Sequence, residues 1–353
     1  MQWQNEVTRA LKINYPIVQA PMLGVTTPEM VAAIANQGGL GSLPVGGLAP
    51  AQTADLIRQT KALTNKPFGV NLFAHAIPAP NFQELTAMQE FLAKLCADNQ
   101  IPYPKQNIEA LRFNTYHEQV QVLLDENIPV VSFTFGIVDD DVIKAFKGKG
   151  VVLIGTATTL PEALLLEEKE IDMITAQGME AGGHRGTFLE PEKLPLVGVM
   201  SLVPRIASVV RKPILAAGGI YNGKTIKAAF TLGAQGVQIG TAFIASPESK
   251  AMPAYKKALQ NATDTKSILT KTLSGRWARG LRNKLITEIE KTGLNIPAFP
   301  FQTGLTAGIR AEAQKQDNNA FTAMWAGQSA AAAEAKPTAE IFAQLIKQTE
   351  ALN

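Results

Sequence analysis

The chain has 353 residues, 46% hydrophobic and 18% charged, the balance of an ordinary globular protein with a large core and room for one big domain plus a smaller one. Its net charge of +3 is scattered, without the basic stripe that nucleic-acid binding needs, and no apolar run approaches the roughly 20 residues of a membrane helix. The single cysteine, Cys96, excludes an intrachain disulfide and a Cys-based metal site, and the N-terminal segment lacks an apolar signal core, so a reducing cytoplasm is expected.

Apolar runs of strand length recur along the chain: Ile17 to Met22, Leu40 to Val45, Phe68 to Phe73, Val130 to Phe135, Gly150 to Thr156, Asp172 to Gln177, Pro213 to Gly219 and Gly236 to Phe243. Amphipathic segments separate them, including Pro28 to Gln37, Pro50 to Leu63, Asn107 to Glu126 and Gly223 to Gly233. Runs without polar alternation are strands covered on both faces, and eight strand-helix alternations make a parallel (β/α)8 TIM barrel of the α/β class. A doubly wound open sheet is the alternative; against it, no G-x-G-x-x-G follows the first strand.

Two segments break the rhythm. His75 to Gln106 is rich in proline and reads as a long excursion after strand three with one helix near Glu84 to Asp98. From about Ser246 to Ala320 the strand pattern gives way to helical stretches between Pro and Gly turns. The expected division is a barrel of residues 1–245 and 321–353, with a smaller, mostly helical cap of residues 246–320 inserted after strand eight.

The run Ala176 to Phe188 follows the sixth apolar strand and combines four glycines with Gln177, Glu180, His184 and Arg185. Glycine permits positive φ and close approach of a ligand to the backbone, so this is the composition of a ligand-clamping loop, with a plain surface turn as the bland alternative. Barrel chemistry sits at the carboxyl ends of the strands. That rule gathers Pro21 and Met22 after strand one, Asn71 in strand three, Gln177 to His184 after strand six, Gly218 and Gly219 after strand seven, and Gln238, Ile239, Gly240 and Thr241 at the end of strand eight. Glycine-flanked N–H groups after strands seven and eight suit an anion such as phosphate. Met22, Leu23, Phe73 and Phe133 are candidates for an apolar pocket wall. Of the three histidines, His184 is the candidate for substrate contact, His117 reads as a solvated or packed helix residue, and His75 lies in a loop that has the reach to touch the mouth. Glu180 and Arg185 read equally as a structural ion pair or as catalytic groups, and nothing suggests a metal.

The ordered set QAPM (Gln19 to Met22), GMEAGGHRG (Gly178 to Gly186), AAGGI (Ala216 to Ile220) and GVQIGTAF resembles the nitronate monooxygenase family, formerly the 2-nitropropane dioxygenases. SGRWARGLRN (Ser274 to Asn283) and MWAGQS (Met324 to Ser329) extend the likeness over nearly the whole chain. The resemblance implies a bound FMN contacted by Asn71, Gln177, Gly182, Gly183, Gly218, Gly219, Gln238, Ile239, Gly240 and Thr241, with the backbone around Pro21 and Met22 beside the ring. It implies oxidation of a small nitronate, such as propionate 3-nitronate, by O2 to a carbonyl compound and nitrite without NAD(P)H. His184 is expected to orient the nitronate as a hydrogen-bond donor, with proton transfer secondary. The expected partners are small molecules only, neither nucleic acid nor membrane, and a homodimer is left open. The alternative reading is an FMN-dependent NAD(P)H reductase of enoyl thioesters or quinones, and a third is a phosphate-binding barrel without flavin.

Overall fold

A computed structural model describes residues 3–190 and 193–352. All eight apolar runs form parallel strands: β1 (Ile17–Gln19), β2 (Ser42–Pro44), β3 (Gly69–Phe73), β4 (Val130–Thr134), β5 (Val152–Ala157), β6 (Met173–Gln177), β8 (Ile214–Ala217) and β9 (Gly236–Ile239), with the short β7 (Gly183–His184) lying outside their sheet. Hydrogen-bonded neighbours run β1-β9-β8-β6-β5-β4-β3-β2. Leu40 bridges Val18 in parallel, and the bonds Gln19 N–H to Leu40 O (2.8 Å) and Leu40 N–H to Ile17 O (3.0 Å) draw the two ends of the sheet together into a barrel. The strands are buried nearly throughout because helices cover their outer face while side chains of opposite strands fill the interior.

The N-terminal helix α1 (Glu6–Leu11) stops the amino end of the barrel: Val7 and Leu11 are buried in one cluster with Val18, Leu40, Val130, Ile154, Met173 and Leu215. The outer ring consists of α2 (Pro28–Asn36), α3 (Pro50–Leu63), α5 (His117–Asp125), α6 (Asp140–Gly148), α7 (Leu160–Glu168), α8 (Val199–Ala207), α9 (Gly223–Thr231) and α13 (Thr338–Glu350). Their starts are legible in the sequence. Thr27 accepts from Met30 N–H ahead of Pro28 at the first helical position, Thr159 does the same for Glu162 N–H, and Asn222 forms a reciprocal capping box with Thr225. The eighth helix, α13, packs against α2 and α9, which returns the end of the chain to the barrel.

The helix expected over residues 107–126 is shorter. After a 3-10 turn at Ile108–Ala110 the chain runs irregularly, and helix begins only at His117. Phe113 packs edge-on against Phe301 at 5.3 Å, which ties this stretch to the layer above the barrel in place of the barrel wall.

That layer contains α4 (Phe82–Asp98), α10 (Pro253–Gln260), α11 (Lys284–Lys291) and α12 (Phe301–Lys315), together with β10 (Ser267–Thr270) and β11 (Ala278–Leu281). Leu85, Met88 and Leu92 of α4 share a core with Leu285, Ile289, Leu305 and Ile309, so the excursion after β3 and the segment after β9 bury each other's apolar faces. The strands β10 and β11 depart from the expected, mostly helical cap. They pair antiparallel, and β11 also pairs with β7 (Ala278 opposite His184, Arg279 opposite Gly183). Among the described residues no helix is long and apolar enough to cross a membrane.

Candidate active site

The glycine-rich run after β6 is held rigidly by its own polar side chains. Gln177, at the end of β6, donates from Nε2 to His184 O (3.0 Å) and accepts at Oε1 from Gly186 N–H (2.9 Å), so one amide closes the loop from both sides. Arg185 is 1% exposed, donating to Gly178 O (2.6 Å) and Gln177 O (3.1 Å), and its backbone N–H reaches Trp277 O (2.8 Å). Arg279, on β11, adds a bond from Nε to Met179 O (2.8 Å). Glu180 accepts from Val199 N–H (2.9 and 3.1 Å) at the start of α8, where a carboxylate is favoured by the exposed amide dipoles. Glu180 and Arg185 each hold backbone groups, and no ion pair joins them.

Pairing of β7 with β11 fixes His184, which is partly buried. Its ring lies among Phe135 (5.5 Å), Trp325 (5.4 Å), Phe299 (6.0 Å) and Phe73 (6.4 Å). Burial pushes its pKa down to about 3, and the positive charges of Arg276 and Arg310 push in the same direction. It is a neutral imidazole at physiological pH. Nε2 lies 2.9 Å from Ser274 Oγ, whose single proton is directed at Arg276 O (3.0 Å). That bookkeeping assigns the imidazole proton to Nε2, donating to Ser274, and leaves a lone pair at Nδ1, to which no described residue is bonded. The donor role expected of His184 needs the opposite tautomer, with Ser274 turning its proton to Nε2.

Phe135 follows β4 with φ +80°, a conformation a bulky residue adopts only when its surroundings impose it. The imposition is visible: the Arg276 guanidinium stacks over its ring at 4.2 Å, and Phe73 and Phe299 flank it at 4.6 and 5.4 Å. His75 adjoins the same cluster, 4.8 Å from Phe299, with Nδ1 3.3 Å from Phe73 O and a pKa lowered by burial to about 4. Its loop does reach the mouth. Phe133 is fully buried core, so of the four apolar candidates it lines no pocket; Leu23 is exposed, and Phe73 and Met22 stand at the mouth. His117 is an exposed residue at the start of α5 paired with Asp139 (2.9 Å). The sequence reading gave no site role to Phe135, Phe299, Ser274, Arg276 or Arg310, although Ser274 and Arg276 stand in the family-like run Ser274 to Asn283; the rest join them only through the fold.

Below this cage, the remaining candidates ring the strand ends. Asn71 is buried in register with Pro44 and Ser132 and donates to Ser132 Oγ (3.0 Å). Gln238 lies opposite Ala217 and Val18, partly buried, and its amide has no partner among the described residues. Gly218 and Gly219 follow β8 with φ +115° and +68°, and Gly183 has φ +74° with open space where a Cβ would project. Gly240 sits under Met22, whose Sδ lies 3.4 Å from a Cβ position there. Ile239 is buried, Pro21 is partly buried, and Thr241 Oγ1 accepts from Gly327 N–H (3.0 Å), which leaves its own proton for another acceptor. Gly182 has a packing role as well. A Cβ there would meet Gly327 N at 2.5 Å, so its lack of side chain lets the Met324 to Ser329 segment cross the loop.

The nitronate monooxygenase family model matches residues 4–348. The chain belongs to the nitronate monooxygenase family. A probable nitronate monooxygenase of Staphylococcus aureus is 40% identical over 347 residues, 98% of this chain and 97% of that one. Among solved structures, a nitroalkane oxidase from Streptomyces ansochromogenes superposes with a TM-score of 0.89 at 34% identity, covering 99% of this chain and 100% of that one. FabK from Thermotoga maritima superposes with a TM-score of 0.77 at 28% identity, covering 99% and 97%. As a nitronate monooxygenase family member the protein is a flavin-dependent oxidoreductase, and the glycine-lined strand ends lie at the face where barrels of this kind bind ligands.

Proposed function

We propose that this enzyme uses FMN to oxidise small alkyl nitronates, propionate 3-nitronate among them, with O2, giving a carbonyl compound and nitrite. The observation that carries the reading is the neutral His184 in its aromatic cage, with guanidinium charge beside it, above a ring of glycine-opened strand ends. Such a site suits a planar anion held against a flat cofactor.

The residues fit FMN. Gly218 and Gly219 hold positive φ that brings backbone to a ligand without a side chain in the way, Thr241 has a hydroxyl proton to give, and together they form the proposed phosphate cradle. Gln238 has an unpartnered amide, and Asn71 and Gln177 each keep part of theirs, for the polar edge and ribityl hydroxyls. Gly183, Ile239 and Gly240 offer backbone, and Pro21 and Met22 border the ring. A bound flavin would supply the electron chemistry between nitronate and oxygen; the protein's part is binding, orientation and exclusion of water. Phe73, Phe135, Phe299 and Trp325 supply the dry wall, and His184, once Ser274 turns its proton to Nε2 and the imidazole proton sits on Nδ1, supplies the hydrogen bond that fixes the substrate.

The low basicity of His184 limits the proton chemistry open to the enzyme. A ring whose conjugate acid has a pKa near 3 is a poor base, so the substrate must arrive deprotonated. Turnover of the nitronate anion is expected to exceed that of the neutral nitroalkane; equal rates would contradict the assignment.

The test is anaerobic stopped flow on the purified yellow protein. An alkyl nitronate should bleach the flavin while NADH and NADPH do not. Bleaching by NADPH with no response to nitronate would transfer the enzyme to the reductase reading, which the likeness to FabK motivates. A colourless protein that cannot be reconstituted with FMN would remove both.

A further inference from the structure

The helix α12 carries Thr303, Thr306 and Arg310, and its two threonines bond the Leu273–Ser274 turn whose Ser274 in turn bonds His184. Thr303 Oγ1 donates to Ser274 O (3.2 Å) and Thr306 Oγ1 to Leu273 O (2.7 Å), and Ser274 Oγ is the partner of His184 Nε2. Arg310, one turn further along, is partly buried and uses Nε on Thr306 Oγ1 (3.2 Å) and Nη2 on Thr303 O (3.1 Å). Both partners are neutral. Among the described residues no carboxylate forms an ion pair with Arg310, and Nη1 donates to none of them. Its charge is felt at His184, and burial alone lowers its own pKa to about 10.

A guanidinium drawn partly out of water without a counter-ion carries a desolvation penalty that two neutral hydrogen bonds offset only in part, and the Nη1 unpartnered among the described residues stays open to an incoming group. Proteins keep such a group where a ligand brings the opposite charge. The fixed fork of Arg matches a planar O–X–O anion, which describes a carboxylate and a nitronate equally. The contrast with Arg185 lies in charge: Arg185 is fully buried, donates to two loop carbonyls while its Nε has no partner, and has the carboxylates of Glu162 and Glu180 in range, whereas Arg310 has no such carboxylate.

Resting on the nitronate reading above, we propose that Arg310 is the substrate's counter-ion and sets the enzyme's specificity for anionic substrates, taking a planar oxyanion at its Nη1 edge. The oxyanion is either the nitronate itself or a carboxylate at the far end of the same molecule.

The experiment compares the FMN-loaded parent with Arg310→Met and Arg310→Lys on propyl-1-nitronate, a monoanion, and propionate 3-nitronate, which adds a carboxylate. Losing one charge-assisted contact should raise KM about 10- to 100-fold with a much smaller change in kcat, and Lys should restore part of the loss. A rise confined to propionate 3-nitronate identifies the carboxylate as the partner, and an equal rise for both identifies the nitronate. Unchanged KM for both in folded, yellow Arg310→Met overturns the proposal, as does a fall in Tm with KM intact, which makes Arg310 a strut for α12. Should Met fail to fold, Lys carries the test, because it keeps the charge and removes the fork. A parent inactive on every nitronate would sink the functional reading alone. Stabilisation of the parent but not the variants by millimolar propionate, read as a thermal shift, addresses Arg310 without turnover, and equal shifts in all three overturn it.

Discussion

At the scale of single residues, the glycine-rich run shows that a polar side chain beside an active site is often there to hold backbone. Arg185 places a guanidinium on two carbonyls that water cannot reach. Arg185→Met should cost about 2 kcal/mol, because Gln177 O loses its guanidinium donor and Gly178 O keeps only the Ala181 N–H at 3.2 Å, and chemical denaturation of the holoenzyme measures it. A loss under about 1 kcal/mol would mean that the loop relaxes to other partners. His75 and His184 make a second prediction. Both have folded pKa values, about 4 and about 3, below the ordinary 6.5, so between about pH 4 and 6.5 the unfolded chain binds more protons than the native one. Stability therefore rises with pH through that window and is lost on acidification, with a slope on the order of 1–2 kcal/mol per pH unit for the pair. Denaturation midpoints at pH 5 and 7 test this, and a slope that survives removal of both imidazoles would assign it elsewhere. The candidate site was legible in sequence where function falls on contiguous residues, as from Gln177 to Arg185. It was illegible where Phe135 meets Ser274 and the stretch from Phe299 to Arg310, since no local pattern marks an aromatic that turns toward a histidine.

At the scale of elements, the barrel strands were legible because burial on both faces leaves an unbroken apolar run. The sheet of β7, β10 and β11 was not, because β7 has two residues, Gly183 and His184, and exists only through its pairing with β11. Arg279 within β11 gave a charged signature to a strand that is buried throughout. This pairing makes adjacent glycines unequal. Gly182→Ala drives a Cβ into the backbone at Gly327 and Ala326, with contacts of 2.5 and 2.6 Å, so β7 must move and His184 with it. Gly183→Ala meets open space and suffers only the left-handed backbone, about 1–2 kcal/mol. Nitronate kcat/KM should accordingly fall by about 100-fold or more in the first variant and by less than about tenfold in the second. The reverse order would mean that the crossing of Met324 to Ser329 over the loop does not position the histidine.

For the whole molecule, the barrel and the layer above it meet at the ligand face. Gly182 of the loop after β6 touches Gly327, and Thr241 after β9 accepts from the same Gly327 N–H, so the strand ends assigned to FMN also anchor the closing segment. A cofactor bound there belongs to the folded state alone. At free FMN about 100 times its Kd the linkage adds about 2.7 kcal/mol to unfolding, so the apoprotein should melt several degrees below the holoprotein, and titrated FMN should restore the difference. Gly219→Asp separates this from nonspecific stabilisation. Its φ of +68° already disfavours a side chain, and a carboxylate beside Gly218 repels the phosphate proposed there. The variant should be colourless, melt near the parent apoprotein less the backbone strain of about 1–2 kcal/mol, and show no upward shift with FMN. Retention of flavin in a folded Gly219→Asp protein would place the phosphate away from β8 and withdraw the cofactor placement proposed above.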